Sequence, residues 1–235
     1  MFKRLLSKIF SPLAGSQGGA ATPSAEAQTG DSGDILYSLP TLCGPGPAIE
    51  DTPLPAEYRW LEEDAWRQVE FVDRKNLPHI ERELAKLLAF KQEHQHGPGW
   101  TDIYTRAEHP APIAASGLHI TSLPAFSTSA LVVGDGPPWG GTVRGGFALA
   151  DGGDWFIDGQ RTDDGGVIQL AVSPGNSVPS GQMVRALSEI TRSSNLLLVD
   201  WLAGVLVNTS SFESVLTWAR QIGTPVPVSV KVRPW

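Results

Sequence analysis

Cysteine is nearly missing from this chain. Cys43 is the only one in 235 residues, so no disulfide can form within the chain, and a reducing cytosol is the simplest compartment. Long apolar runs are missing too. The longest, Leu196 to Val207, is interrupted by Asp200 and falls short of the roughly 18 residues that suggest a membrane-spanning helix. Excess basic charge is absent. The formal net charge is -7, which argues against broad, unspecific nucleic-acid binding, because that needs a basic footprint. Short catalytic and metal motifs are absent as well: no HExxH, no cysteine-containing zinc pattern, no GxSxG and no Ser-x-x-Lys occurs. These absences weigh against an enzyme without excluding one, since many hydrolases carry no short motif.

What is present is most legible between Val143 and Val172. Three short apolar runs, FALA, WFI and VIQLAV, are separated by Asp-Gly and Gly-Gly clusters. Asp and Gly tolerate the positive φ of tight hairpin turns, so this segment predicts an antiparallel meander in which each aspartate has a turn role. The spacing of Leu61, Ala65, Val69 and Val72 predicts a helix over 56–74. Leu77, Ile80, Leu84, Leu87 and Leu88 predict a second over 77–95, with Asn76 as its N-cap, or else one helix kinked at Asn76–Pro78. Strands are expected at Asp102–Arg106, Leu118–Thr121, Ser129–Val133, Leu196–Trp201 and Val226–Val232. A helix is expected from Ser180, and another behind a capping box formed by Ser210 and Glu213.

The expected fold class is α+β, a mostly antiparallel sheet with a β-meander, covered by helices. Residues 51–235 form the expected globular domain. Residues 1–50 form an N-terminal amphipathic peptide and a flexible tether rich in Gly, Ala, Ser and Pro, of which the patch Ile35–Leu42 is expected to dock back onto the domain. Phe2, Leu5, Leu6, Ile9 and Phe10 make one helical face of MFKRLLSKIF, and Lys3, Arg4 and Lys8 the other. Such a peptide suits weak docking on a membrane surface or in a partner's groove, and Lys8 breaks the apolar core that a secretory signal needs.

Several constellations invite a site. The loop Gly134–Gly141 has two prolines and no following Lys-Ser/Thr, so it does not cradle phosphate. His94 and His96 lack further ligands, and Asp151, Asp154, Asp158, Asp163 and Asp164 lack calcium-loop spacing. No metal and no cofactor are therefore expected. Cys43 has no neighbouring cation in the sequence to activate it. Asp200, inside an apolar run, must be paired, hydrogen-bonded or protonated. Its expected partner is a backbone amide or an arginine such as Arg144. Trp139 on its loop and Trp235 are the tryptophans expected at the surface.

The balance favours a non-catalytic, acidic protein-binding module of the cytoplasm. In its sharpest form it is a bacterial immunity-type protein that neutralises a basic toxin or enzyme. Glu62, Glu63, Asp64, Trp139, Asp151, Asp154, Asp158, Asp163 and Asp164 are the candidate binding residues. Two other readings stand beside it. One is a hydrolase-like enzyme whose site is assembled from distant residues, with Asp200, His109 and His119 as candidates. The other is a scaffold or assembly component, peripheral to a membrane or seated on a partner through residues 1–10. The expected partner is a protein, not nucleic acid.

Overall fold

A computed structural model describes residues 36–135 and 140–222. The amphipathic peptide, the tether to Gly33, Trp139, Trp235 and the strand expected at Val226–Val232 lie outside the described residues.

The fold is α+β, built on one ten-stranded, mostly antiparallel sheet. In chain order its strands are β1 (Ile49–Glu50), β2 (Tyr58–Glu62), β3 (Val69–Asp73), β4 (Ser127–Gly134), β5 (Gly140–Val143), β6 (Gly146–Ala150), β7 (Phe156–Arg161), β8 (Val167–Ser173), β9 (Leu196–Asp200) and β10 (Val205–Val207). They lie in the order β10-β9-β3-β8-β7-β6-β4-β5-β1, with β2 on the other side of β4. Only the β2–β4 pairing in this sheet is parallel. The expected meander is β6, β7 and β8. Gly145 joins β5 to β6 at φ +64, and its missing Cβ leaves room for the Arg161 carbonyl, which would sit 2.1 Å from it. Any other residue is both strained and obstructed there.

Helices α1 (Leu77–His94), α2 (Gly181–Ser193) and α3 (Phe212–Gln221) cover the sheet. Helices α2 and α3 pack with Phe71, Phe147, Ile157, Leu196 and Leu198 in the main core. Helix α1 covers the opposite face, where Ile80, Leu84 and Leu87 meet Val72, Val199 and Trp201. Each such fully buried aliphatic side chain contributes about 1.5–3 kcal/mol. A third cluster, Leu61, Trp66, Leu131, Val133 and Val143, closes the β2–β4 end. The patch around Leu42 does lie on the domain: Tyr37 bridges to Trp100, and Thr41–Cys43 pairs in parallel with Tyr104–Arg106.

The helix expected over 56–74 does not form. Strands β2 and β3 occupy that stretch, with a short 3-10 turn at Glu63–Ala65 between them. Trp66 to Asp73 is buried at every position, so the strand shows no alternation, and its apolar spacing matched a helical stripe by coincidence. Arg67 has φ +56, a conformation that cannot sit inside a right-handed helix. Leu118–Thr121 is likewise not a strand, only a bridge at His119 followed by a 3-10 turn. Asn76 does not cap α1 with its side chain; it exchanges two hydrogen bonds with the backbone of Ala111. Ser211 caps α3 in place of Ser210, accepting from the Ser214 amide at 3.1 Å.

Candidate functional site

The densest polar chemistry lies on the α1 side of the sheet, around Glu70. Its neighbours Val69 and Phe71 face the main core, so strand alternation places Glu70 with Val72 on the opposite side. The Glu70 carboxylate is 2 % exposed. It accepts from Arg67 Nε at 2.6 Å, from His109 Nε2 at 2.9 Å and from Trp201 Nε1 at 2.7 Å. The left-handed backbone at Arg67 accompanies this close pairing three residues upstream of Glu70. Burial alone would raise the Glu70 pKa. The Arg67 charge and the His109 hydrogen bond more than offset it and hold the group at about 2.

A second layer supports the first. Arg106, 4 % exposed, donates to Gln68 Oε1, Thr41 Oγ1 and the Arg67 carbonyl. Its guanidinium lies 5.0 Å over the Trp201 ring, on which His109 also stacks. Cys43 sits near Arg67 and Arg106. Burial dominates and raises the thiol's pKa, although both arginines oppose that. The cations that would activate it are therefore present, but the group stays neutral.

Beside this network is a cleft of about 150 Å³, lined by Arg67, Glu70, Asp73, Glu108, His109 and Gln169 among others. Two atoms of its lining side chains, His109 Nδ1 and Gln169 Oε1, are buried without a hydrogen-bond partner.

Asp158 corrects the expectation that each meander aspartate serves a turn. It lies within β7, fully buried, and is not an accessible binding residue. Ser173 Oγ donates to its Oδ2, while its Oδ1 has no partner. Burial pushes its pKa up to about 6, against the opposing pull of Ser173 and Arg59. Arg59 itself lies 4.1 Å over the Phe156 ring.

Of the other aspartates of the ribbon, Asp164 braces its own turn, while Asp151 and Asp154 tie the β6–β7 loop to residues 176–180. Asp154 accepts from the amides of Asn176 and Ser177 at 2.7 and 3.1 Å. Asp151 takes the Ser180 hydroxyl and the Gly153 amide, and Asp164 takes the Thr162 hydroxyl. Asp163 is exposed beside Asp164.

Asp200 is 3 % exposed and is closed off by the Ala203 amide at 2.8 Å and the Trp218 indole at 2.9 Å. Its partner is not Arg144, which pairs with Glu50. No histidine is hydrogen-bonded to Asp200. His119 contacts the Thr121 hydroxyl and the Asp164 carbonyl. Of the catalytic candidates only His109 meets a carboxylate, and that carboxylate is Glu70.

Glu62, Glu63 and Asp64 end β2 and begin the turn after it. In the parallel register Glu62 lies beside Gly134, so Asp135 joins them. Partial burial, then the nearby Asp135 and Asp64 charges, raise the Glu63 pKa. Among the described residues, no cation lies within 4.0 Å of any of these four carboxylates.

No helix among the described residues is long and apolar enough to cross a membrane, and no group of three metal-ligating side chains occurs among them. No protein family, curated protein or solved structure matches this chain.

Proposed function

We propose that this chain is a non-catalytic, acidic protein-binding module whose partner presents a basic surface. The supporting observation is the end of the β2–β4 pair. Glu62, Glu63, Asp64 and Asp135 gather there with no compensating cation among the described residues. A fold that tolerates such crowding gains when a positive surface relieves it, and the field also steers encounter. The fate of the catalytic candidates points the same way. Asp200 is closed off, His119 is held between the Thr121 hydroxyl and the Asp164 carbonyl, and His109 is spent on Glu70, which also accepts from Arg67 and Trp201. In the sharpest form of this reading, the partner is a basic toxin or enzyme and the chain is a bacterial immunity protein of the cytoplasm.

One observation favours an enzyme instead: the Glu70–His109 pair lines a cleft beside the left-handed Arg67. Against it, no serine, threonine or cysteine side chain among the described residues is hydrogen-bonded to His109. The scaffold reading rests on residues 1–10, outside the described residues.

The test is affinity capture with the full chain and with E62Q/E63Q/D64N/D135N. The wild type should recover one dominant basic protein, released as salt rises from roughly 50 to 500 mM because exposed charges are screened. The variant should recover little of it. Capture that is indifferent to salt and to the four substitutions would refute the proposal.

A further inference from the structure

We propose that the cleft beside Glu70 receives the charged end of a lysine or arginine side chain from the basic partner. This rests on the reading of the chain as a binder of basic proteins, and it adds a recessed contact to that surface.

The chemistry of the lining selects the occupant. Arg67 and Trp201 can only donate, so Glu70 is the acceptor in both bonds, and the His109 Nε2 that meets it carries the hydrogen. In the neutral imidazole, Nδ1 is then an acceptor. It is buried, lacks a partner, and belongs to a side chain only 11 % exposed. Gln169 Oε1 is a second buried acceptor without a donor. Both residues line the same cleft. An apolar occupant would leave both acceptors unsatisfied, whereas an N–H donor relieves them.

Charge points the same way. Arg67 is matched by Glu70 at 2.6 Å and also feels the more distant Glu108 charge; Asp73 and the exposed Glu108 add negative charge to the lining without a salt bridge among the described residues. Asp73 gives one oxygen to the Lys75 amide. An anion in the cleft would meet both of them; an ammonium or guanidinium would complement them.

The experiment uses the full chain and nitrogen-15 NMR of the histidine side chains. Nα-acetyl-lysine methylamide is the probe, and sodium acetate the opposite-charge control. The titratable groups around His109 and its cleft are Glu70, Arg67, Asp73, Glu108, Arg106 across the Trp201 ring and, from α1, His79. The lysine probe should shift the His109 Nδ1 resonance, because an N–H donor then reaches an acceptor that has no partner in the free protein.

Q169L should weaken the probe about five- to tenfold, and E108Q about two- to fivefold. Q169L should also keep or raise the thermal midpoint, since it removes a buried unsatisfied acceptor. Acetate shifting the His109 Nδ1 resonance, while the lysine probe leaves it unmoved, would overturn the proposal. So would wild-type probe affinity in both variants. Capture of a basic protein that survives Q169L and E108Q but is lost in E62Q/E63Q/D64N/D135N would end the cleft proposal and leave the binding reading standing.

Discussion

Replacing Asp158 by asparagine should stabilise the folded protein at pH 7 by about 1–3 kcal/mol. The group is fully buried, and its pKa rises from 3.8 to about 6 on folding. That gap of about two pH units corresponds to about 3 kcal/mol disfavouring the ionised form in the fold. The sign follows from proton binding. Between pH 3.8 and about 6 the folded state holds a proton that the unfolded chain has released. Stability therefore falls as pH rises through that window and is level above it. Asparagine removes the charge and keeps an oxygen for the Ser173 hydroxyl. Its amide nitrogen, however, takes the place of an oxygen near Arg59 that already lacks a hydrogen-bond partner, so the lower end of the range stands beside the upper. Urea unfolding from pH 4 to 8 measures both effects. The variant should gain stability at pH 7 and lose the decline between pH 4 and 6. A variant less stable at pH 7, with the decline intact, would refute the reasoning. It would mean that Asp158 is ionised and paired with Arg59.

Glu70 should behave in the opposite sense. Its folded value is depressed from 4.5 to about 2, so its stabilisation is present above 4.5 and lost as pH falls toward 2, and E70Q should destabilise at neutral pH by about 3–5 kcal/mol in urea titrations because Arg67 is left buried and unpaired. S211A should cost about 1 kcal/mol of stability in thermal unfolding, and S210A much less, since Ser211 is the residue that bonds the Ser214 amide. G145A should destabilise by more than about 1 kcal/mol by the same measurement, because the new Cβ meets the Arg161 carbonyl and φ is positive.

The β6–β8 ribbon was legible because its apolar runs are short and its turns carry Asp and Gly, the residues that reverse a chain cheaply. Helix α1 was legible because Leu77 to Leu88 repeat at helical spacing and Gly97-Pro98 stops them. Strand β3 was not. WRQVEFVD is buried throughout, and a strand buried on both faces shows no alternation to read. The left-handed residue that breaks this stretch is an arginine, where a glycine would have announced itself. The Glu70 network was invisible for a different reason. Its members, Arg67, Arg106, His109 and Trp201, are scattered along the chain, and the Trp201 bond spans 131 positions. One signal was available: a glutamate between Val69 and Phe71 must, in any strand, face away from both neighbours. His109 was singled out in sequence, but beside Asp200, whose real partners are a local amide and Trp218. Glu62, Glu63 and Asp64 were singled out too, as binding residues on a stretch expected to be helical, whereas parallel strand pairing brings Asp135 to them.

Carboxyl-detected carbon-13 NMR, following every Asp and Glu side chain through an acid titration, tests the binding account at its root. Glu63 should titrate above its ordinary value of 4.5, held there by partial burial and by Asp135 and Asp64. It should move down in D135N, and further down when a basic protein is bound. A Glu63 that titrates at or below the ordinary value, and ignores D135N, would mean that the acidic end already has its counter-charge and has no need of a partner.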